Sequence, residues 1–109
     1  MDYTILTRAR LAQSALTASR ALMNGASPDQ KSILEQRIRA QQVDAEQLYR
    51  EALATADTVD DPRIREILLL RCLKGLHWEE VADSMDGNLN AEAIKQRFCR
   101  WKKANHAII

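Results

Sequence analysis

Five residues decide where this chain can stop being a helix: Gly25, Pro28, Pro62, Gly75 and Gly87. They are all the glycine and proline in 109 residues. The stretches between them are rich in Ala, Leu, Gln, Glu and Arg, whose straight or minimal side chains lose little rotamer freedom in a helix. No stretch alternates apolar and polar residues with β-branched enrichment, so nothing reads as a strand. The expectation is an all-α protein. It divides into an antiparallel helical hairpin over residues 1–57, an arm for oligomerisation or for a partner, and a tri-helical helix-turn-helix over residues 58–109.

The breaks come with start and stop signals. A first helix is expected from about Tyr3 to Met23. Ile5, Ala9, Ala12, Leu16, Ser19 and Met23 share one face of it at spacings of 4, 3, 4, 3 and 4. Asn24-Gly25 ends it, and Ser27-Pro28 with Gln30 makes a capping box for the next. That second helix carries Leu34, Ile38, Gln41, Ala45, Leu48 and Ala52 at the same spacing, a coiled-coil seam interrupted by a polar residue. A connection this short predicts two helices folded back on each other. Their stripes are thin enough to need the rest of the chain, or a second copy, for stability.

Asp61 caps a third helix that begins at Pro62. Ile64, Ile67, Leu68, Leu70 and Leu73, with Cys72 beside them, make it the centre of the core. It ends at Lys74-Gly75, and Leu76 is expected to fold back over its end. A short fourth helix runs from Trp78 to about Asp86 with Glu79 and Glu80 in its first turn. The turn Asp86-Gly87-Asn88-Leu89 follows, and Asn90 caps a fifth helix that runs through Lys103. Trp78 and Trp101 are expected in the core, and His77 is expected to be a cap or turn residue.

Charge is distributed unevenly over this frame. The formal net charge is +1, yet residues 57–92 carry four basic and nine acidic side chains, and residues 93–109 carry five basic and none acidic. On the fifth helix, Ile94, Phe98 and Trp101 form the buried stripe. Glu92, Gln96, Cys99, Arg100 and Lys103 lie opposite, with Lys95, Lys102 and Arg97 at the flanks. A helix lying in the major groove needs this pattern: amide and guanidinium groups for base edges, and lateral cations for phosphates. The candidate DNA-binding residues are therefore Asn90, Lys95, Gln96, Arg97, Arg100, Lys102 and Lys103. Gln96 and Arg100 are assigned to bases, and Lys95, Arg97, Lys102 and Lys103 to phosphates. Asn90 stands at the helix start, within reach of either.

The stretch "IREILLLRCLKGLHWEEVADSM" resembles the helix-turn-helix of the DNA-binding fourth region of bacterial sigma factors. It is closer still to small sigma-like transcriptional regulators of phages and integrated elements, through Leu70, Arg71, Gly75, Trp78, Glu80, Val81 and Ala82. That resemblance covers about Val59 to Lys103. It implies that the helix after the turn reads DNA, which carries a reading role onto Lys95, Gln96 and Arg100. One departure stands out: after the alanine of the short helix, the glycine and the next apolar anchor follow at five and twelve residues, where the common form has four and ten. "HWEEVADSMDGNLNAEAIKQRFCRWKK" is similar, less closely, to the last two helices of Myb-like domains, which also place the final helix on DNA.

Other chemistry finds little support. Cys72, His77, Cys99 and His106 are ligand types for zinc, but their spacing matches no compact motif, so no metal and no cofactor is expected. There is no phosphate loop, serine elbow or paired carboxylate site, and an enzyme is not expected. No apolar run reaches the length of a bilayer span. No leader is apparent at Met1-Asp2, and two cysteines without an export signal point to reduced thiols. A cytoplasmic protein of a bacterium or a phage-infected cell is the expectation. Its expected partners are double-stranded DNA, a second copy through the hairpin, and RNA polymerase. The alternatives are a protein-interaction module that uses the hairpin seam, and a small subunit for packaging phage DNA.

Overall fold

Four helix starts are built by side chains that the sequence puts there, while the first helix has no side-chain cap at Tyr3. Ser27 Oγ accepts from the Gln30 N–H at 3.3 Å while Gln30 Oε1 accepts from the Ser27 N–H at 3.0 Å. Asp61 Oδ1 accepts from the Arg63 and Ile64 N–H groups at 2.9 and 3.4 Å, and Asn90 Oδ1 accepts from the Ala93 N–H at 2.7 Å. His77 is the cap of its helix, its own N–H donating to Glu80 Oε1 at 3.1 Å. Each such cap satisfies N–H groups that have no partner within the helix.

The computed structural model describes every residue except Asp86 and Asn88. Among the described residues the helices are α1 (Thr4–Leu22), α2 (Pro28–Asp57), α3 (Pro62–Ile67), α4 (Trp78–Ser84) and α5 (Ala91–Ala104). α3 runs on into a π-helical segment, Leu68–Leu73. The fold is all-α; pairing of the strand type among the described residues is one isolated bridge between Asp2 and Ile108. At 30 residues, α2 is about 45 Å long, which sets most of the 51 Å long axis of the molecule. No helix among the described residues is long and apolar enough to cross a membrane.

α1 and α2 pack as a hairpin along the two expected stripes. Ile5, Ala9, Ala12, Leu16, Ser19 and Met23 on one side, and Leu34, Ile38, Gln41, Ala45, Leu48 and Ala52 on the other, are all buried or half-buried. The end of the hairpin near the termini merges with the rest of the chain. Tyr3, Leu6, Ala9, Ala52 and Ala56 belong to the same apolar cluster as Val59, Ile64, Ile67, Leu68, Val81, Ile94 and Phe98. Residues 1–57 and 58–109 therefore share one core. The chain ends close this core from below: the Tyr3 N–H donates to the Ile108 carbonyl at 2.7 Å and the Ile108 N–H to the Met1 carbonyl at 2.8 Å.

The π segment departs from the plain helix expected between Pro62 and Leu73. Its ladder steps back five residues, as in the Lys74 N–H to Leu69 carbonyl bond at 3.0 Å. The reason lies in the sequence "LLLRCL": Leu68, Leu69, Leu70, Cys72 and Leu73 all lie in or against the core. The segment packs against α1, α2 and α4 at once. A regular helix offers one apolar stripe, and this segment needs more of its circumference. The end is as expected, with Gly75 at φ +74°. The Leu76 N–H reaches back to the Leu70 carbonyl at 3.1 Å, and Leu76 packs on the core.

Candidate nucleic-acid interface

The rotation of α5 about its own axis decides which side chains meet a partner, and a row of aromatic rings sets it. Trp78 of α4 meets Phe98 at 5.6 Å between ring centroids, Phe98 stacks on Trp101 at 5.9 Å, and Trp101 meets Tyr3 at 5.4 Å. With Ile94 and Phe98 buried, the helix has one rotational setting. Both tryptophans are half-buried and packed on the core, as expected.

That setting turns Glu92, Lys95, Gln96, Arg97, Cys99, Arg100, Lys102 and Lys103 outward, all exposed. The individual groups differ in how free they are. Lys95, Arg100, Lys102 and Lys103 form no ion pair within 4 Å among the described residues. Gln96 Nε2 donates weakly to Glu92 Oε1 at 3.4 Å, a contact across one helical turn in water. The Oδ1 of Asn90 accepts its capping bond, and its amide N–H₂ donates no hydrogen bond among the described residues.

Arg97 stands apart. Its Nη2 lies 3.1 Å from Asp61 Oδ2 and 3.5 Å from Oδ1, tying α5 to the start of α3. Asp61 thus caps one helix and holds another. Burial pushes its carboxyl upward, but Arg97 and the N–H groups of Arg63 and Ile64 outweigh that and hold it below the usual 3.8. The pair is half open to solvent, so its role is positional more than energetic.

The lengthened turn between α4 and α5 falls partly on Asp86 and Asn88, which lie outside the described residues. On either side of them, α4 ends at Ser84, Gly87 has φ +95° and Asn90 is in its capping conformation.

Two arrangements were not drawn from the sequence. Arg10 of α1 and Arg71 of the π segment line one pocket with Thr7, Cys72 and Gly75; residues so far apart in the chain give no local signal. Leu11, Ala15, Ala18 and Leu22 make a second stripe on α1 at spacings of 4, 3 and 4, and all four are exposed. That signal was readable, since it repeats the spacing of the buried stripe on the other side of the same helix.

The cysteines differ in the same way. Cys72 is buried and its thiol is pushed up by burial, with Arg71, Arg10 and Lys102 pulling the other way. Cys99 is exposed on α5. No group of three His, Cys, Asp or Glu side chains converges among the described residues. The chain matches no protein-family model, no curated protein and no solved structure.

Proposed function

We propose that this protein binds double-stranded DNA by laying α5 in the major groove, as a small transcriptional regulator of the phage type. One observation carries the reading. The outward face of α5 presents four cations without ion-pair partners among the described residues, together with Gln96, on a helix whose rotation the Trp78–Phe98–Trp101 row fixes. A rigid helix with exposed amide and guanidinium groups suits base edges, and lateral lysines suit phosphates. Gln96 and Arg100 take the base-reading role; Lys95, Lys102 and Lys103 take phosphates, with Asn90 at the helix start. Arg97 holds α5 against α3 through Asp61, and contacts phosphate only by leaving that pair.

The hairpin supports a role in self-association or partner contact. The seam between α1 and α2 is consumed within the chain, so any such surface lies on the outside of the pair, where Leu11, Leu22, Ile33 and Val43 are exposed. In the alternative readings, the basic face of α5 would instead meet an acidic partner such as a polymerase subunit, or would hold DNA for packaging.

The test is binding to a random duplex over a range of salt. With three phosphates neutralised by lysine, the log–log slope of affinity against salt is expected at about −2.7. Absence of duplex binding at low salt rejects the reading. Gln96→Ala with Arg100→Ala is expected to remove sequence preference selected from a random library while circular dichroism stays unchanged. Loss of helix content in that double variant contradicts the assignment of those residues to the free face.

A further inference from the structure

Where the hairpin meets the end of the third helix, a pocket of about 280 Å³ is lined by Thr7, Arg10, Arg71, Cys72 and Gly75. We propose that it is a binding site for a phosphate-type oxyanion, held between the guanidinium groups of Arg10 and Arg71.

The two arginines are prepared for this in different ways. Arg71 is pinned: Nη1 donates to the Leu76 carbonyl at 2.7 Å, and the guanidinium carbon sits 5.1 Å from the centre of the Trp78 ring. A guanidinium carries five N–H donors, so most remain to be used. Arg10 is half-buried yet has no hydrogen bond or ion pair among the described residues. Its Cδ lies 2.7 Å from where a Cβ on Gly75 would stand. The absent side chain of Gly75 is what lets Arg10 lie along the wall.

Among the described residues no carboxylate lines the pocket, and α1 contains no acidic residue at all. Two cations brought together without a counter-ion repel each other, and partial burial removes some of the water that would screen them. An oxyanion relieves both costs and accepts the forked N–H geometry of arginine. The hydroxyl of Thr7 adds a neutral donor. Lys102 of α5 reaches the same region electrostatically, since it acts on Cys72 together with Arg71 and Arg10. The volume, roughly nine times that of a water molecule, holds a phosphate group with part of its hydration shell.

Two sources share this chemistry: a phosphodiester of duplex DNA approaching along α5, or a free phosphate. The first rests on the DNA-binding reading; the second does not. The full chain is titrated with sodium phosphate at ionic strength held constant by sodium chloride, following the ¹⁵N amide shifts of Thr7 and Gly75. In parallel, a labelled duplex is titrated against wild type, Arg10→Gln, Arg10→Lys and, as a control on the outer surface of α2, Arg39→Gln.

Saturable shifts at Thr7 and Gly75, weakened at least about tenfold by Arg10→Gln, partly restored by Arg10→Lys and untouched by Arg39→Gln, establish the site with free phosphate as occupant. A tenfold loss of duplex affinity in Arg10→Gln without saturable phosphate shifts establishes it with the DNA backbone as occupant. If wild type ignores duplex but saturates with phosphate, the DNA reading fails and the pocket stands. If phosphate gives no saturable shift and Arg10→Gln leaves duplex affinity at the wild-type value, the proposal is overturned. Arg71 is left unchanged because it also holds Leu76 and Trp78.

Discussion

The hairpin and the three-helix unit bury their surface with different proportions of large and small side chains. Between α1 and α2, half of the seam residues are small or polar: Ala9, Ala12, Ser19, Gln41, Ala45 and Ala52. The larger residues Leu11, Leu22, Ile33 and Val43 stay outside. In the unit formed by α3, its π segment, α4 and α5, the contact is made by Ile64, Ile67, Leu68, Val81, Ile94 and Phe98, all buried. Small side chains let helices approach closely but return little free energy, because burial stabilises in proportion to apolar area. The far end of the hairpin adds to this weakness: Leu16, Ser19 and Ala45 are buried but lie outside the main apolar cluster. Stability should therefore fall from the junction toward Gly25, while the basic face of α5 rests on the firmest part of the molecule.

The largest effect that would test this contrast is Ile67→Ala. Ile67 is fully buried, and its truncation is expected to cost about 2–5 kcal/mol in denaturant unfolding. Leu34→Ala, at a half-buried position near the far end, should cost less than the lower bound of that range. Equal costs would show that the hairpin end is held as firmly as the core.

A smaller effect of opposite sign is expected at Gln41. Its Oε1 is buried without a hydrogen-bond partner among the described residues, and such an orphan costs about 1–3 kcal/mol. Gln41→Leu should raise stability by a part of that and increase amide protection along the far half of the hairpin. A drop in stability would mean that the amide has a role the seam does not reveal.

The smallest effect belongs to the pair joining α3 and α5. Asp61 titrates below its ordinary value in the folded chain, so its contribution is complete above the unfolded value of 3.8 and is lost as pH falls through the folded one. The thermal midpoint should therefore decline more steeply below about pH 4 in wild type than in Asp61→Asn, which keeps a capping oxygen but no titratable charge. Identical acid limbs for the two proteins would remove Asp61 from the account.

Much of this was legible in the chain because it depends on local rules. Ser27-Pro28, Asp61-Pro62 and Asn90 mark helix starts by supplying oxygens that only a helix start needs. The Ile94–Phe98–Trp101 stripe follows from helical geometry alone. The π segment was not legible, since whether "LLLRCL" widens its turn depends on how many neighbours surround it. Nor was the engagement of Arg97, which sits on α5 like any other flanking cation until α3 brings Asp61 alongside.

What the sequence by itself determined is therefore the number, order and facing of the helices, through caps, breakers and spacing that act within a few residues. The tertiary structure alone decided which cations are free. It paired Arg97 with Asp61, left Lys95, Arg100, Lys102 and Lys103 without ion-pair partners among the described residues, and set Arg10 beside Arg71 across 61 positions of chain. Charge–charge contacts between distant segments depend on distances that only packing sets, so no local pattern of residues announces them.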